Sequence, residues 1–444
     1  MSDGLLTGAL GDVRVRRPRL LSPLREHLRD TMWFAPTAGL VGSLVLWWIA
    51  AEVDAEWVRL LQDHDEYDAI KDLNQLAEDT KVVISTIGSA MMTFIGVVFS
   101  ISLVAVQMAS GQFSPRVVRL YVRSRITKAT LTVFLATFLF SLMTLTSFDS
   151  EQDPRLVTSV PIVEGLLALL MVLLSLLLFV AYVNGTLRMM RIGFVIDRIA
   201  REAFRVAAKH PAEGHLDDEQ LGPETARIIH EGQAGVLRDV HIARAVRAAR
   251  RQGVVLRLLP RTGDFVVPGT PVFTVHGGPP PGRRTLRYTV YVGVERTFHQ
   301  DLGFGLRQLS DIALRALSPA VNDPTTAVQA LDRIVQFLAV LAPYPLGALR
   351  HRDRRGEVRL IQPVPDWTDL VDLGLTEIRG CAPGNPQVTR RMLAGIDDLL
   401  LLVPQERRSP LLRHRALLEQ AVERVVPETA DREFALLPDR QGIG

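Results

Sequence analysis

Apolar residues gather in four blocks within the first 183 positions, and the rest of the chain alternates on a finer scale. The blocks cover residues 32–51, 82–108, 129–148 and 157–183. A helix rises about 1.5 Å per residue and a bilayer core is about 30 Å thick, so about 20 apolar residues suffice for a crossing. Each block therefore predicts one transmembrane helix. Trp33, Trp47 and Trp48 stand near the ends of the first, as an interfacial aromatic belt would.

The second block belongs to a longer run. None of the 34 residues between Lys81 and Arg116 is charged. Plotted at about 100° per residue, Ser85, Ser89, Thr93, Gly96, Ser100 and Gln107 fall within an arc of about 80°. Leu103 lies on the same arc, whereas Thr86 and Ser102 lie off it. A small and polar stripe on a membrane helix faces protein or water rather than lipid. Two readings follow. Small residues let helix backbones approach closely, or the stripe lines a pore in which Leu103 forms an apolar constriction. The run closes on Gln107-Met-Ala-Ser-Gly-Gln-Phe-Ser-Pro115, where Gly111 and Pro115 are expected to stop the helix. Gln107, Ser110, Gln112 and Ser114 there either dress a vestibule or cap the helix end.

Charge orients these spans. Six arginines (Arg14, Arg16, Arg17, Arg19, Arg25 and Arg29) precede the first. Segment 52–80 holds ten acidic residues against Arg59 and Lys71. Arg116, Arg119, Arg123, Arg125 and Lys128 lie between spans two and three, with no acid. The next loop is acidic, and Arg188, Arg191, Arg198 and Arg201 follow span four. Basic and acidic segments alternate at every crossing, which puts both termini in the cytoplasm of a multi-pass inner-membrane protein. Glu164 is the acid set deepest in apolar sequence, near the outer end of span four. It is either a cation or proton site or an interfacial residue whose head reaches the outer headgroups.

From residue 193 onward the pattern is that of a water-soluble α/β region. Residues 193–210 form an amphipathic helix and 210–223 a linker or turn. Strands are expected at 235–241, 254–259, 265–267, 272–276 and 286–294, with an Ala-rich helix at 242–252. The Gly-Asp-Phe-Val and Pro-Gly-Thr-Pro-Val turns look like the hairpin of biotinyl- or lipoyl-type barrels. No lysine sits in them, so a structural hairpin is expected rather than a carrier. Helices follow at 302–317, from Pro324, and at 366–380, 386–402 and 409–426, ahead of a loose tail from Pro427. The expected fold is an α-helical membrane domain of four transmembrane helices, plus a cytoplasmic α/β domain with short β hairpins followed by several helices. Its expected divisions are a basic segment (1–30), the membrane domain (31–192), a β-rich subdomain (193–295), a helical subdomain (296–427) and the tail (428–444).

The stretch from Arg296 to Val328 carries the most specific pattern. Asp301 is placed to cap the helix at 302, and Arg307 and Asp311 to pair at i, i+4. Asp323 is placed as N-cap of the next helix, with Pro324 in its first turn. Two well-capped helices at a tight corner account for these residues. The other reading is a small-ligand or anion site at the helix start, around Asn322, Asp323 and Thr325, against which the negative charge of Asp323 argues.

Composition narrows the function classes. The chain has 444 residues, 48 % hydrophobic side chains and a mean hydropathy of +0.17. Its net charge is only +3, which gives no case for nucleic acid as a partner. Of 51 basic residues 47 are Arg, a skew that fits a GC-rich genome better than a basic function. The single cysteine, Cys381, excludes an intramolecular disulfide or a cysteine-rich metal site. Residues 1–30 show no cleavable signal peptide. No P-loop, dinucleotide turn, HExxH or GxSxG occurs, so neither an enzyme nor a cofactor is expected. His230, His241, His276 and His299 lack metal-ligand spacing, and no metal site is expected.

The run Ser318-Pro-Ala-Val-Asn-Asp-Pro-Thr-Thr-Ala327, the turn after Gln107 and the Gly-Asp-Phe-Val segment together resemble a family of bacterial predicted membrane proteins catalogued as a domain of unknown function, over about residues 30–425. The resemblance implies a multi-span inner-membrane protein with a large cytoplasmic domain, and it implies no activity. The residues themselves favour an oligomeric channel or ion-conducting pore, with the bilayer, further copies of the chain and ions as partners. The alternative is a membrane-anchored sensor or scaffold with its ligand near Arg307, Asp311 and Asn322.

Overall fold

The computed structural model describes the chain except for residues 1–30, 32, 113–123, 149–156, 210–220, 283–285, 287, 345 and 442–444. Two compact units divide between Arg191 and Ile192.

The N-terminal unit is built of α1 (Phe34–Asp63), α2 (Tyr67–Gln112), α3 (Arg125–Thr144) and α4 (Ile162–Met189). Among the described residues these four are long and apolar enough to cross a membrane. The first two outrun the expected blocks. At 30 and 46 residues they span about 45 and about 69 Å, well beyond a bilayer core. Their acidic ends form a helical hairpin, with only His64, Asp65 and Glu66 between the helices. Val58, Ile70, Ala77, Val157 and Val160 form a small core there. Within the apolar part, Ile95, Val98, Phe134 and Tyr182 join α2, α3 and α4. The rings of Phe94, Phe134 and Phe179 pack on one another beside them. α3 is the most buried of the four helices. α4 turns Leu166, Leu170, Leu173, Leu177 and Val180 outward, as contact with lipid requires. The end of the charge-free run, from Phe113 to Pro115, lies outside the described residues, as do the arginines from Arg116 to Arg123 and the acidic loop before Val157.

The second unit opens with α5 (Ile192–Lys209), β1 (Glu224–Ile229), β2 (Gly235–Val240), α6 (Ile242–Gln252), β3 (Val255–Leu258), β4 (Phe265–Val266), β5 (Pro271–His276) and β6 (Val290–Gly293). Then come α7 (Phe304–Ala316), α8 (Pro324–Leu341), β7 (Ala348–Arg352), β8 (Val358–Pro363), α9 (Trp367–Cys381), α10 (Pro386–Leu402), α11 (Arg408–Val425) and α12 (Thr429–Ala435). One sheet has the order β1-β5-β3-β8-β7, the other β4-β2-β6. All pairs are antiparallel except β3 with β8, where Leu256 stands opposite Leu360. Ala245, Ala248 and Ala249 of α6 join Leu256, Phe273 and Leu360 in the core.

Four expectations need correction. The segment 264–276 is not a hairpin, because β4 pairs with β2 in one sheet while β5 pairs with β1 and β3 in the other. A strand that was not expected, β1, begins at Glu224, directly after the segment assigned as a linker. The chain beyond residue 296 is not only helical, since β7 and β8 return to complete the sheet, and α5 packs on α7 and α8. The tail is not loose through Gln441. It forms α12, places Phe434 under the Arg390 guanidinium at 4.1 Å, and pairs Arg440 with Asp398 at 2.7 Å.

Candidate functional site

Helix α2 packs one face and leaves the other bare. Ile84, Ile87, Met91, Ile95, Val98 and Ala105 are buried. The seven arc residues Ser85, Ser89, Thr93, Gly96, Ser100, Leu103 and Gln107 are all exposed within the unit. A Cβ added to Gly96 would find no atom within 4 Å. The hydroxyls of Ser89 and Thr93 donate to the carbonyls of Ser85 and Ser89 on their own helix. Off the arc, Thr86 likewise donates to the Val82 carbonyl of its own helix, whereas Ser102 turns to a neighbour. Ser102 pairs with the Tyr182 hydroxyl at 2.7 Å, and that hydroxyl also reaches the Val98 carbonyl at 3.0 Å. Among the described residues of this unit, then, no helix covers the stripe.

A second polar stripe, on α3, points inward. Thr127, Thr130, Thr137, Ser141 and Thr144 are buried. Thr130 donates to the Leu178 carbonyl at 3.3 Å, and Thr137 meets Ser175 at 3.1 Å, so hydroxyls bind α3 to α4. Gly39 on α1 allows the close approach of Thr132, whose methyl would lie 2.3 Å from an added Cβ.

At one end of this unit two carboxylates meet. Asp54 of α1 is 1 % exposed and Glu164 of α4 is fully buried. The oxygens of Asp54 accept the N–H groups of Val163 at 2.9 Å and Glu164 at 3.1 Å, which caps the start of α4 from a different helix. The Glu164 carboxylate is therefore not a headgroup-facing side chain. Thr144, Ser147 and Trp47 stand around it, but neither of its oxygens closes a hydrogen bond. The indole of Trp47 donates instead to Ser147 at 3.1 Å.

In the second unit the Arg296–Thr325 residues are largely consumed by structure. Asp301 is buried and held by Arg296 through two contacts of 2.7 and 2.9 Å, with the Gly303 and Phe304 N–H groups also directed at it. The helix itself starts at Phe304 with Gly303 as its N-cap, not at 302 with Asp301. Gly263, at φ 103°, presses against this pair, and an added Cβ would lie 2.4 Å from Asp301 Oδ2. Arg307 pairs with Asp311 at 2.8 Å as expected, and also with Glu377 of α9 at 2.6 Å. Asp323 caps α8, taking the N–H and the hydroxyl of Thr326 at 3.0 and 2.5 Å. Those bonds fill the helix start that the anion reading needs open. Asn322 adopts φ 47° beside it, and Asn322 and Thr325 are exposed. His299 faces Asp239 at 3.4 Å rather than Asp301. Among the described residues no group of three metal-ligating side chains occurs.

Comparison with known proteins agrees with this architecture. The family described as "Predicted membrane protein (DUF2254)" matches residues 29–398. The chain belongs to the DUF2254 family. Uncharacterised proteins of Mycobacterium tuberculosis and Mycobacterium bovis are each 30 % identical to this DUF2254 chain over 375 residues, covering 82 % of it and 70 % of their own length. No solved structure matches the chain. Sequence reasoning reached Glu164 and the α2 stripe in this DUF2254 chain but missed Asp54 and the α3 stripe. Asp54 is one of ten acids in a segment read as outside the membrane, and its partners lie 109 and 110 residues further on. The α3 hydroxyls carried a readable signal, since Thr130, Thr137, Ser141 and Thr144 also share one helix face.

Proposed function

We propose that this membrane protein self-associates through the exposed stripe of α2 and that the assembled stripes line an ion-conducting path. The observation that carries the reading is the bare face formed by Ser85, Ser89, Thr93, Gly96 and Ser100 on a helix whose opposite face is packed. Lipid gives such a face no partner, whereas a second copy or a column of water does. Symmetric assembly would bring several copies of the stripe to one axis, with Leu103, 60 % exposed, as an apolar ring near one end. The alternation of basic and acidic flanks supports an inner-membrane location with both termini in the cytoplasm. In this reading the chain carries out no enzymatic chemistry.

The test is ion flux through the purified full chain reconstituted in liposomes and planar bilayers. Conductance is expected, and Ser100→Trp should block it by filling the path. Absence of conductance across voltage, membrane tension and pH would sink the proposal.

A specific feature supports the sensor reading as a second one. A cleft of about 830 Å³ in the second unit is lined by β1 and β5 of one sheet and β6 of the other, with Arg227, His230, Phe273, Leu286, Tyr288 and Val292 on its walls. It lies away from Arg307, Asp311 and Asn322, where that reading first placed a ligand.

A further inference from the structure

A buried carboxylate needs a counter-charge or a full set of hydrogen bonds, because the cost of removing it from water is otherwise unmet. Asp54 has its share. Both of its oxygens take N–H groups at the positive end of α4. Glu164, in the first turn of the same helix, has neither. No Lys, Arg or His pairs with it among the described residues. The Thr144 hydroxyl beside it is fully buried and has no hydrogen-bond partner either. One carboxyl with no counter-charge among the described residues is thus flanked by side-chain oxygens from α1, from α3 and from the turn after it, close to the start of α4 and hence near the bilayer surface, where ions enter from water.

We propose that Glu164, with Asp54 behind it and the hydroxyls of Thr144 and Ser147 beside it, binds one small monovalent cation of the sodium class. The donor set is all oxygen, which suits a hard cation. The charge left to satisfy is one, because the start of α4 already offsets Asp54, so a divalent ion is the poorer match. The site rests on the membrane reading of the N-terminal unit and not on conduction along α2. Flux can fail with sodium binding intact, and binding can fail with flux intact.

The experiment is thermal unfolding of the full chain in lipid nanodiscs at alkaline pH, with sodium chloride exchanged for N-methylglucamine chloride at constant ionic strength. Binding to the folded state alone raises Tm with ligand concentration, by roughly 2–4 °C per tenfold sodium beyond saturation. Glu164→Gln should abolish that dependence and leave the sodium-free Tm equal or higher, since Gln fills the same volume without charge. A wild-type Tm indifferent to sodium, or the same dependence in Glu164→Gln, overturns the proposal. If Glu164→Gln fails to fold, equilibrium binding of radioactive sodium to the wild type decides the matter. About one displaceable ion per chain supports the site, and binding that N-methylglucamine displaces equally well overturns it.

Discussion

Helices α2 and α3 carry similar polar stripes and use them in opposite ways. On α3 the hydroxyls of Thr130 and Thr137 reach across to α4, and Ser141 and Thr144 are buried with them. On α2 the hydroxyls of Ser89 and Thr93 turn back to their own helix, and the face they mark is open. Polarity on a membrane helix therefore identifies a face that avoids lipid, without naming what covers it. Inside one chain the partner is visible, as for α3. For α2 no partner occurs among the described residues of its unit, and the proposed function rests on that difference.

Glycine gives the sharpest way to break the comparison. Gly39 stands against α3, with Thr132 Cγ2 2.3 Å and the Thr132 carbonyl 3.3 Å from an added Cβ. The Thr132 methyl cannot swing aside without cost, because its hydroxyl is held by the Lys128 carbonyl at 2.7 Å. Gly39→Val should therefore destabilise the membrane unit by about 1–3 kcal/mol, the usual cost of overpacking, seen as a lower Tm and a smaller folded yield in detergent. A variant as stable as the wild type would show that α1 and α3 are not in close contact.

Tyr182 probes the polar contacts that do join α2 to its neighbours. Its hydroxyl lies between Ser102 and the Val98 carbonyl, and Tyr182→Phe removes both bonds while keeping the ring. The expected loss is about 1 kcal/mol, since a hydrogen bond inside a membrane protein contributes little more than one in water. Ser102→Ala should cost no more, and the double variant should fall short of the sum. Additive losses would mean that the two side chains do not interact.

Local chemistry made much of the second unit readable. Asp323 before Pro324, Asp366 with Asp369, and Asn385 before Pro386 each accept backbone N–H groups three residues on, so the starts of α8, α9 and α10 follow from adjacent residues. What escaped was pairing over long separations. The partners of β4 and β5, and the return of β8 beside β3, depend on strands up to about a hundred residues apart, for which turn residues give no signal. Gly263 is a case in point. Its place in the Gly-Asp-Phe-Val turn was plain, but its contact with the Arg296–Asp301 pair required the fold. In the membrane unit the same limit hid Asp54, whose role as the cap of α4 depends on a residue 109 positions later.

Gly96 closes the comparison with the smallest expected change in the unit itself. An added Cβ there meets nothing within 4 Å, so Gly96→Leu introduces no clash inside the chain. A helix-interior Gly costs about 1 kcal/mol relative to Ala, and Leu is nearly as good a helix former, so the stability of the isolated unit should hold or rise slightly. Gly39→Val and Gly96→Leu thus differ in sign although both enlarge a glycine on a membrane helix. The second effect of Gly96→Leu should appear between copies, because a bulky side chain would hold apart backbones that small residues let approach. Chemical cross-linking in membranes, followed by light scattering of the solubilised protein, should show a shift toward the monomer with Tm unchanged. An unaltered oligomer would remove Gly96 from any interface and leave the exposed stripe of α2 to be explained by water alone.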